Sequence, residues 1–374
     1  MNVVYVAKAK IPSESANSIH VMKICEAFAE IVDRFALVVP KFLDDEEKQE
    51  KCFDYYGVSH FHIERVDVNM ANQMKSRYLF PLKAIKCALK QKPDIVVTRD
   101  PIVAFLGVCF HKHTVLDLHG ELAHLCGRAY RMIKFKWFTE SKYLHLVMIS
   151  KELCEYYHKK YNVPMKCMTV LPDGYTAKNF EEIIYKPILK GPKISIGYCG
   201  GFMVGKGIGL IAKMAGLDTE NTYHLYGGSR EKAEKEVGEV FPSNVIFHGF
   251  IPNAKVPETL MQHDVLLLPN QDKLICKGED IGKVTSPLKM FEYMASGRVI
   301  VASDLKVLRE VLSDKNSYLV KADDPREWVN AIKYIDKNRE EALRKTQEAV
   351  KEVNQYSWAS RARKMLHLAE GTEK

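Results

Sequence analysis

A chain of 374 residues is too long for one ordinary hydrophobic core, so two domains of roughly 180 residues each are expected. Hydrophobic residues at 47% and charged residues at 27% exclude a disordered or fibrous protein. The formal net charge is +8, and residues 70–145 hold all of the excess, with thirteen Lys/Arg against five Asp/Glu.

Nine scattered cysteines, an odd number with no Cys-x-x-Cys pair and no Cys/His cluster at zinc spacing, predict a reducing compartment. Val3-Val4-Tyr5-Val6 reads as a strand rather than as a charged leader with an apolar signal region, so the cytoplasm is the expected location. The longest apolar stretch, 102–110, falls short of the ~20 residues that cross a membrane.

In chain order, short apolar runs occur at 3–7, 35–39, 95–98, 114–118, 146–149 and 168–171, then at 194–199, 223–226, 245–248, 265–268, 299–302 and 318–320. Helix-length segments separate them, which is the pattern of parallel sheets covered by crossover helices. Behind Asn17 and Ser18, either of which can cap, Met22, Cys25, Ala29 and Val32 recur at helical spacing. Ser150 caps another helix, with Glu152 in its first turn. Residues 181–193, with Pro187, Gly191 and Pro192, lack periodicity and read as a linker. Ser286 reads as the N-cap of a helix with Pro287 at its first position and Gly297 just past its end. Trp358, Ala362, Met365 and Leu366 mark a last helix. The expected fold is α/β: two doubly wound, Rossmann-like parallel-sheet domains facing a cleft, at 1–185 and 186–355, with a C-terminal helix at 356–374.

Within the basic window, Lys75, Arg77, Lys83, Lys86, Lys90 and Lys92 alternate with Tyr78, Leu79, Phe80, Leu82 and Ile85. Further on, Arg128, Arg131, Lys134 and Lys136 alternate with Tyr130, Phe135, Trp137 and Phe138. Residues 74–92 and 127–143 therefore suit an anionic membrane surface, and equally two solvated helices with basic outer faces. No nucleic-acid motif accompanies the charge, and no nucleic-acid partner is expected.

Ligands of open α/β sheets bind beyond the carboxyl ends of the strands. Lys289 falls in the first turn of its helix, where free amides and the helix dipole favour an anion over a cation. A bound phosphate resolves that conflict, with Ser286 and the amides of Leu288 and Lys289 around it. The turn Gly200-Gly201-Phe202-Met203-Val204-Gly205-Lys206-Gly207 adds close backbone approach and a second lysine. It is not a Walker loop, because the spacing fails and no Ser/Thr follows Lys206. Glu292 stands one and a half turns along the helix, within reach of a ribose. His119, in Asp117-Leu118-His119-Gly120-Glu121, ends a strand and can hydrogen-bond a sugar hydroxyl or move a proton; Asp117 and Glu121 are alternative general bases.

Together, Ile196-Gly197-Tyr198-Cys199-Gly200-Gly201, Gly205-Lys206-Gly207, His224-Leu225-Tyr226-Gly227-Gly228, Val245-Ile246-Phe247-His248-Gly249-Phe250-Ile251-Pro252 and Ser286-Pro287-Leu288-Lys289-Met290-Phe291-Glu292-Tyr293-Met294-Ala295-Ser296-Gly297 resemble family 4 retaining glycosyltransferases, of the bacterial surface-polysaccharide type. Val170-Leu171-Pro172-Asp173-Gly174 and Ser357-Trp358 extend the resemblance. It implies GT-B architecture and retaining transfer, without cofactor or metal, from a nucleotide sugar (UDP or GDP) to a glycan or lipid-linked acceptor. It further implies that Lys206 holds the diphosphate with amides of Ser286 and Leu288, that Glu292 holds the ribose, that Phe250 and Ile251 meet the base, and that His119 meets the donor sugar. Asn17 and Gly201 stand in the loops expected to line the nucleotide sugar.

Three departures accompany the resemblance. Val284 stands where the family often has a glutamate, Gly201 where it often has an arginine, and Ser15-Ala16-Asn17-Ser18 where a glycine-rich loop is usual. Lys289 or Lys283 is the expected replacement for the arginine. Two other readings compete: a sugar-nucleotide epimerase of the same architecture, and a non-catalytic sugar-nucleotide-binding partner.

Overall fold

The apolar runs form two parallel sheets in the computed structural model of the chain, which describes residues 1–42, 51–68, 73–121, 126–181, 188–276 and 279–370, without the side chains at 73–75, 128, 276 and 279. Among the expectations above, Pro187 and the side chains of Lys75 and Arg128 lie outside the described residues.

The first sheet joins β1 (Asn2–Val6), β2 (Arg34–Pro40), β3 (His62–Val66), β4 (Ile95–Thr98), β5 (His113–Leu118), β6 (Leu144–Met148) and β7 (Met168–Val170) in the order β3-β2-β1-β4-β5-β6-β7. The second joins β8 (Ser195–Cys199), β9 (Thr222–Tyr226), β10 (Val245–Phe247), β11 (Val265–Leu268), β14 (Val299–Ser303) and β15 (Tyr318–Val320) in the order β10-β9-β8-β11-β14-β15. A short antiparallel pair, β12 (Ile275–Cys276) with β13 (Glu279–Asp280), lies between β11 and β14 in the chain. Strand order reverses at β1/β4 and at β8/β11, so the loops leaving those strands border natural ligand sites.

Both faces of the second sheet are covered, which is why its strands read as unbroken apolar runs. Val265 and Leu267 of β11 pack in one core with the helices Ile208–Leu217 and Pro325–Lys337. Leu266 and Leu268 pack in the other, with the helices Leu288–Ala295 and Arg339–Val353. Sequence reading missed β3, whose His62, Glu64 and Arg65 hide it from an apolar search. It is an edge strand paired only with β2, and none of its residues is buried, so no hydrophobic run is required of it.

The chain divides into two compact units, Met1–Asp173 with Trp358–Lys374, and Gly174–Ser357. The first crossing falls at 173/174; the expected boundary at 185/186, with residues 182–187 of the expected linker, lies outside the described residues. Of the expected linker, Ile188 and Leu189 are buried in the core of the second unit, and the Leu189 amide donates to Asp264 Oδ1 at 2.6 Å. Apolar side chains had no periodicity to reveal them there.

Two helix starts differ from the expectation. Ser15, not Asn17 or Ser18, caps the helix Ala16–Ala29, its Oγ accepting the Ser18 amide at 3.2 Å. The helix Leu288–Ala295 has Pro287 as its cap, one residue later than expected, and no side chain caps it. Ser150 does cap the helix Lys151–Tyr161, accepting the Leu153 amide at 3.1 Å.

Candidate active site

In the second unit the glycines act through backbone proximity. Gly207 has φ +84 and stands so close to the Pro269 carbonyl that a Cβ would run into it; Gly205, at φ +89, meets the backbone of Lys273 and Leu274 in the same way. Gly227 (φ +132) abuts the Gly200 carbonyl, and its amide donates to Gly249 O at 2.7 Å. The ends of β8, β9 and β10 are thereby drawn together, placing Phe250 and Ile251 beside the Gly227-Gly228 turn. Phe250 is 45% exposed there.

Lys289 is the outstanding charge of this unit. Its Nζ is sealed from solvent, has no hydrogen-bond partner, and rests over the Tyr198 ring at 4.1 Å from the centroid. Burial, reinforced by the neighbouring Lys206 charge, holds its pKa well below the usual lysine value. Ser286 lies one residue before the helix cap with its Oγ buried and unpartnered. The Lys289 amino group and the Ser286 hydroxyl are thus both buried and unpartnered at the start of this helix, beside its first-turn amides and within the field of Lys206.

Around this point, Tyr198 Oη donates to Gly201 O at 3.0 Å, so one ring supports both the glycine turn and the lysine. Tyr293, one turn after Lys289, receives the Cys199 amide on its hydroxyl at 2.9 Å and clamps the helix to the end of β8. Burial and then the nearby Glu292 charge push the Cys199 thiol up to about 12, which places Glu292 beside the same strand end and leaves the thiol unreactive. A Cβ on Gly201 would meet nothing within 4 Å.

The first unit holds a different constellation. His119 Nε2 is 3.1 Å from Asp117 Oδ1, and its Nδ1 is 3.9 Å from Asp173 Oδ2. His20 packs its ring edge on His119 at 4.4 Å, with nitrogens 3.3 Å from Asp117 and 3.0 Å from Asp173, close in distance but off the line of an ideal hydrogen bond. Trp358 covers His20 edge-on at 5.0 Å. Arg361, from the helix Trp358–Glu370, is buried against both Asp117 oxygens at 2.8 and 3.4 Å and donates to Pro172 O at 3.0 Å.

Burial opposes ionisation of Asp117, but Arg361 and His119 outweigh it and hold the carboxyl well below its usual range. Asp173 falls to about 2 against the same opposition, through His119 and His20. Burial, then Arg99, pushes His119 down to about 4, so its imidazole is neutral at pH 7. Asp117 is therefore a fixed counter-ion rather than a base, and Glu121 is engaged by Lys160 and by the Tyr161 hydroxyl at 2.9 Å. The ligating atoms of His20, Asp117 and His119 lie within 4.8 Å of one another, and the Arg361 guanidinium engages both oxygens of that Asp117. Asn17, exposed in the first turn of its helix, accepts from Arg99 at 2.7 Å.

The structure thus gathers Gly201, Lys206, Ser286, Leu288, Lys289 and Glu292 at one end of the second sheet and His119 with its buried escort at one end of the first. Sequence reading missed Tyr198, His20, Asp173, Trp358 and Arg361 as site residues. Tyr198, Asp173 and Trp358 stood inside the motifs quoted above; Arg361, in a charged helix, carried no local signal.

Residues 193–338 match a family model described as glycosyl transferases group 1. The chain has the GT-B fold. Sucrose-phosphate synthase from Thermosynechococcus elongatus superposes at a TM-score of 0.71 and 16% identity, covering 99% of each chain. Anabaena Alr3699/HepE in complex with UDP superposes at 0.71 and 12%, covering 99% of this chain and 100% of that one. A glycosyltransferase from Rickettsia africae ESF-5 superposes at 0.75 and 11%, covering 100% and 99%. No curated protein matches the chain. Both sheets of this GT-B chain are matched over essentially their full length, and the family match falls on the unit that holds Lys206 and Lys289.

Proposed function

We propose that the protein is a retaining, metal-independent glycosyltransferase that moves a sugar from a nucleoside-diphosphate sugar to a glycan or lipid-linked acceptor, in the synthesis of a polysaccharide or glycoconjugate on the cytoplasmic side of a membrane. The observation that carries the reading is the Lys289 amino group, buried without a partner at a helix start beside Lys206. A diphosphate would satisfy it, the Ser286 hydroxyl and the Leu288 and Lys289 amides at once. UDP, the ligand of the HepE structure, has that chemistry.

When the bond from the sugar C1 to the diphosphate oxygen breaks, negative charge grows on the leaving phosphate. Lys289 and Lys206 are fixed cations aimed at that charge, and in a water-poor site they do the work a metal ion does elsewhere. The acceptor oxygen bonds C1 from the same face, and its proton passes to the leaving phosphate, so no protein carboxylate has to become the nucleophile. Glu292 accepts from the ribose hydroxyls, and Phe250 and Ile251 lie against the base. His119, neutral and lying against Asp117, donates or accepts one hydrogen bond to a substrate hydroxyl.

Thermal-shift measurements with UDP, GDP, ADP and UDP-glucose test the donor class. A nucleotide at 100 times its Kd stabilises by about 2.7 kcal/mol, and a flat response to all four removes the basis of the reading. Turnover that survives EDTA supports metal independence, and turnover that EDTA abolishes ends it. A UDP-sugar epimerised in the absence of acceptor would instead establish the epimerase.

A further inference from the structure

We propose that the outer face of the helix Gln73–Lys90 and the segment 127–139 together form a docking surface for an anionic lipid bilayer, and that the acceptor is therefore membrane-borne. The second clause rests on the glycosyltransferase reading; the first does not.

Burial in the first unit is one-sided along this helix. Phe80, Ala84, Ile85 and Ala88 enter the core, while Tyr78, Leu79 and Leu82 are 43%, 41% and 51% exposed. In the other segment Phe135 and Trp137 are 48% and 55% exposed and lie parallel, 6.4 Å apart. Phe105 backs Trp137 at 5.2 Å and Phe138 at 5.4 Å, so the exposed rings stand on a rigid aromatic base. The two elements adjoin: a Cβ on Gly127 would be 2.6 Å from an Arg77 guanidinium nitrogen and 3.4 Å from the Tyr78 hydroxyl.

Charge surrounds these apolar groups and has one sign. Residues 73–90 and 127–139 contain nine Lys/Arg and no Asp/Glu, and Lys83, Lys86, Arg131, Lys134 and Lys136 are exposed. Aromatic rings seat at the level of lipid headgroups, and flanking cations are attracted to anionic ones. Nucleic acid would engage the cations and the rings but has no use for Leu79 and Leu82, since aliphatic side chains neither stack on bases nor neutralise phosphates. Insertion at the headgroup boundary uses all three kinds of side chain.

Placement ties the surface to the site. The helix Gln73–Lys90 begins after the carboxyl end of β3, and the segment 127–139 follows the carboxyl end of β5, which His119 succeeds directly. A bilayer seated here would lie along the ligand edge of the first sheet, where a lipid-linked acceptor arrives without leaving the membrane.

Flotation of the full chain with extruded vesicles tests this. Vesicles of phosphatidylcholine with 30% phosphatidylglycerol are expected to float the protein, and pure phosphatidylcholine is not. Phe135→Ser/Trp137→Ser should abolish flotation; Lys134→Gln/Lys136→Gln should lower partitioning about 25-fold, at roughly fivefold per cation. Lys333→Glu/Lys337→Glu, on exposed positions of the second unit, should leave it unchanged. Equal recovery with both vesicle types, undiminished flotation of either variant of the 127–139 segment, or binding of a 20-nucleotide single strand in preference to anionic vesicles would overturn the proposal. A UDP thermal shift run on the same samples separates the two readings: flotation without a UDP response leaves the dock standing and removes the nucleotide site.

Discussion

Replacing Lys289 by methionine keeps the volume of the side chain and deletes its basic group, and the structure predicts a small effect on stability and a large one on binding. In the empty protein the buried Lys289 amino group has no hydrogen-bond partner. Leaving such a group unsatisfied costs about 1–3 kcal/mol, offset by ~0.5–2 kcal/mol from its place over the Tyr198 ring. The two terms net to between about −1 and +2.5 kcal/mol, so Lys289→Met should lower the melting temperature by no more than about 4 °C and can raise it by up to about 10 °C. With a diphosphate bound, the variant loses a charge-assisted hydrogen bond of ~1.5–3 kcal/mol, and Kd for UDP should rise about 10- to 150-fold. A proton is involved as well. The empty site holds the Lys289 pKa below its unfolded value, so the folded protein binds fewer protons than the unfolded chain between those two values. Diphosphate restores the proton, so binding takes one up and affinity falls as pH rises through that window. Calorimetry of UDP binding over a pH series, in two buffers of different ionisation enthalpy at each pH, should show proton uptake that sets in as pH rises in the natural protein and none from this group in Lys289→Met. An unchanged Kd together with a melting temperature lowered by 5 °C or more would show that Lys289 is a structural residue, and the argument would fail.

Arg361→Met strands the buried Asp117 carboxylate and should lower the stability of the first unit by about 3–5 kcal/mol, read from urea unfolding. Asp117→Asn/Arg361→Met should be less damaging than the sum of the single changes, with a coupling of ~0.5–3 kcal/mol. His119, lowered to about 4 in the folded state, binds fewer protons than it does unfolded between pH 4 and 6.5. Stability should accordingly drop by up to about 3 kcal/mol as pH falls from 6.5 to 4, and His119→Gln should flatten that part of the profile. Asp117 and Asp173 act in a lower window: their stabilisation is complete above the unfolded value of about 3.9 and disappears as pH falls toward 2. Gly207→Ala should destabilise by more than ~3 kcal/mol because of its φ and the Pro269 carbonyl, while Gly201→Ala should stay within ~0.5 kcal/mol, both measured by thermal unfolding.

Much of the second unit was legible in the residues because its signals are local. A strand buried on both faces must be apolar throughout, as β11 is, and a glycine turn at a strand end needs only neighbouring residues to be recognised. Lys289 was visible as a cation in a helix position that favours an anion. Its helix begins one residue later than its caps suggested, because Pro287 takes the cap position and Ser286 faces inward without a partner. The edge strand β3 was illegible for the complementary reason: it is only half-buried, so its composition is close to that of a surface.

By itself the sequence determined the alternation of strands and helices, the two sheets it builds, the basic window and the lysine at a helix start. Each follows from a few consecutive residues, through periodicity, capping and formal charge. Tertiary structure alone decided that Lys289 is buried without a partner on Tyr198, and that Phe135 and Trp137 are exposed on one rigid base. It also decided that Arg361, 244 positions from Asp117, is the cation that keeps that carboxylate ionised beneath His119. Burial and pairing across such separations depend on which faces meet when the chain packs, and no local pattern carries that information.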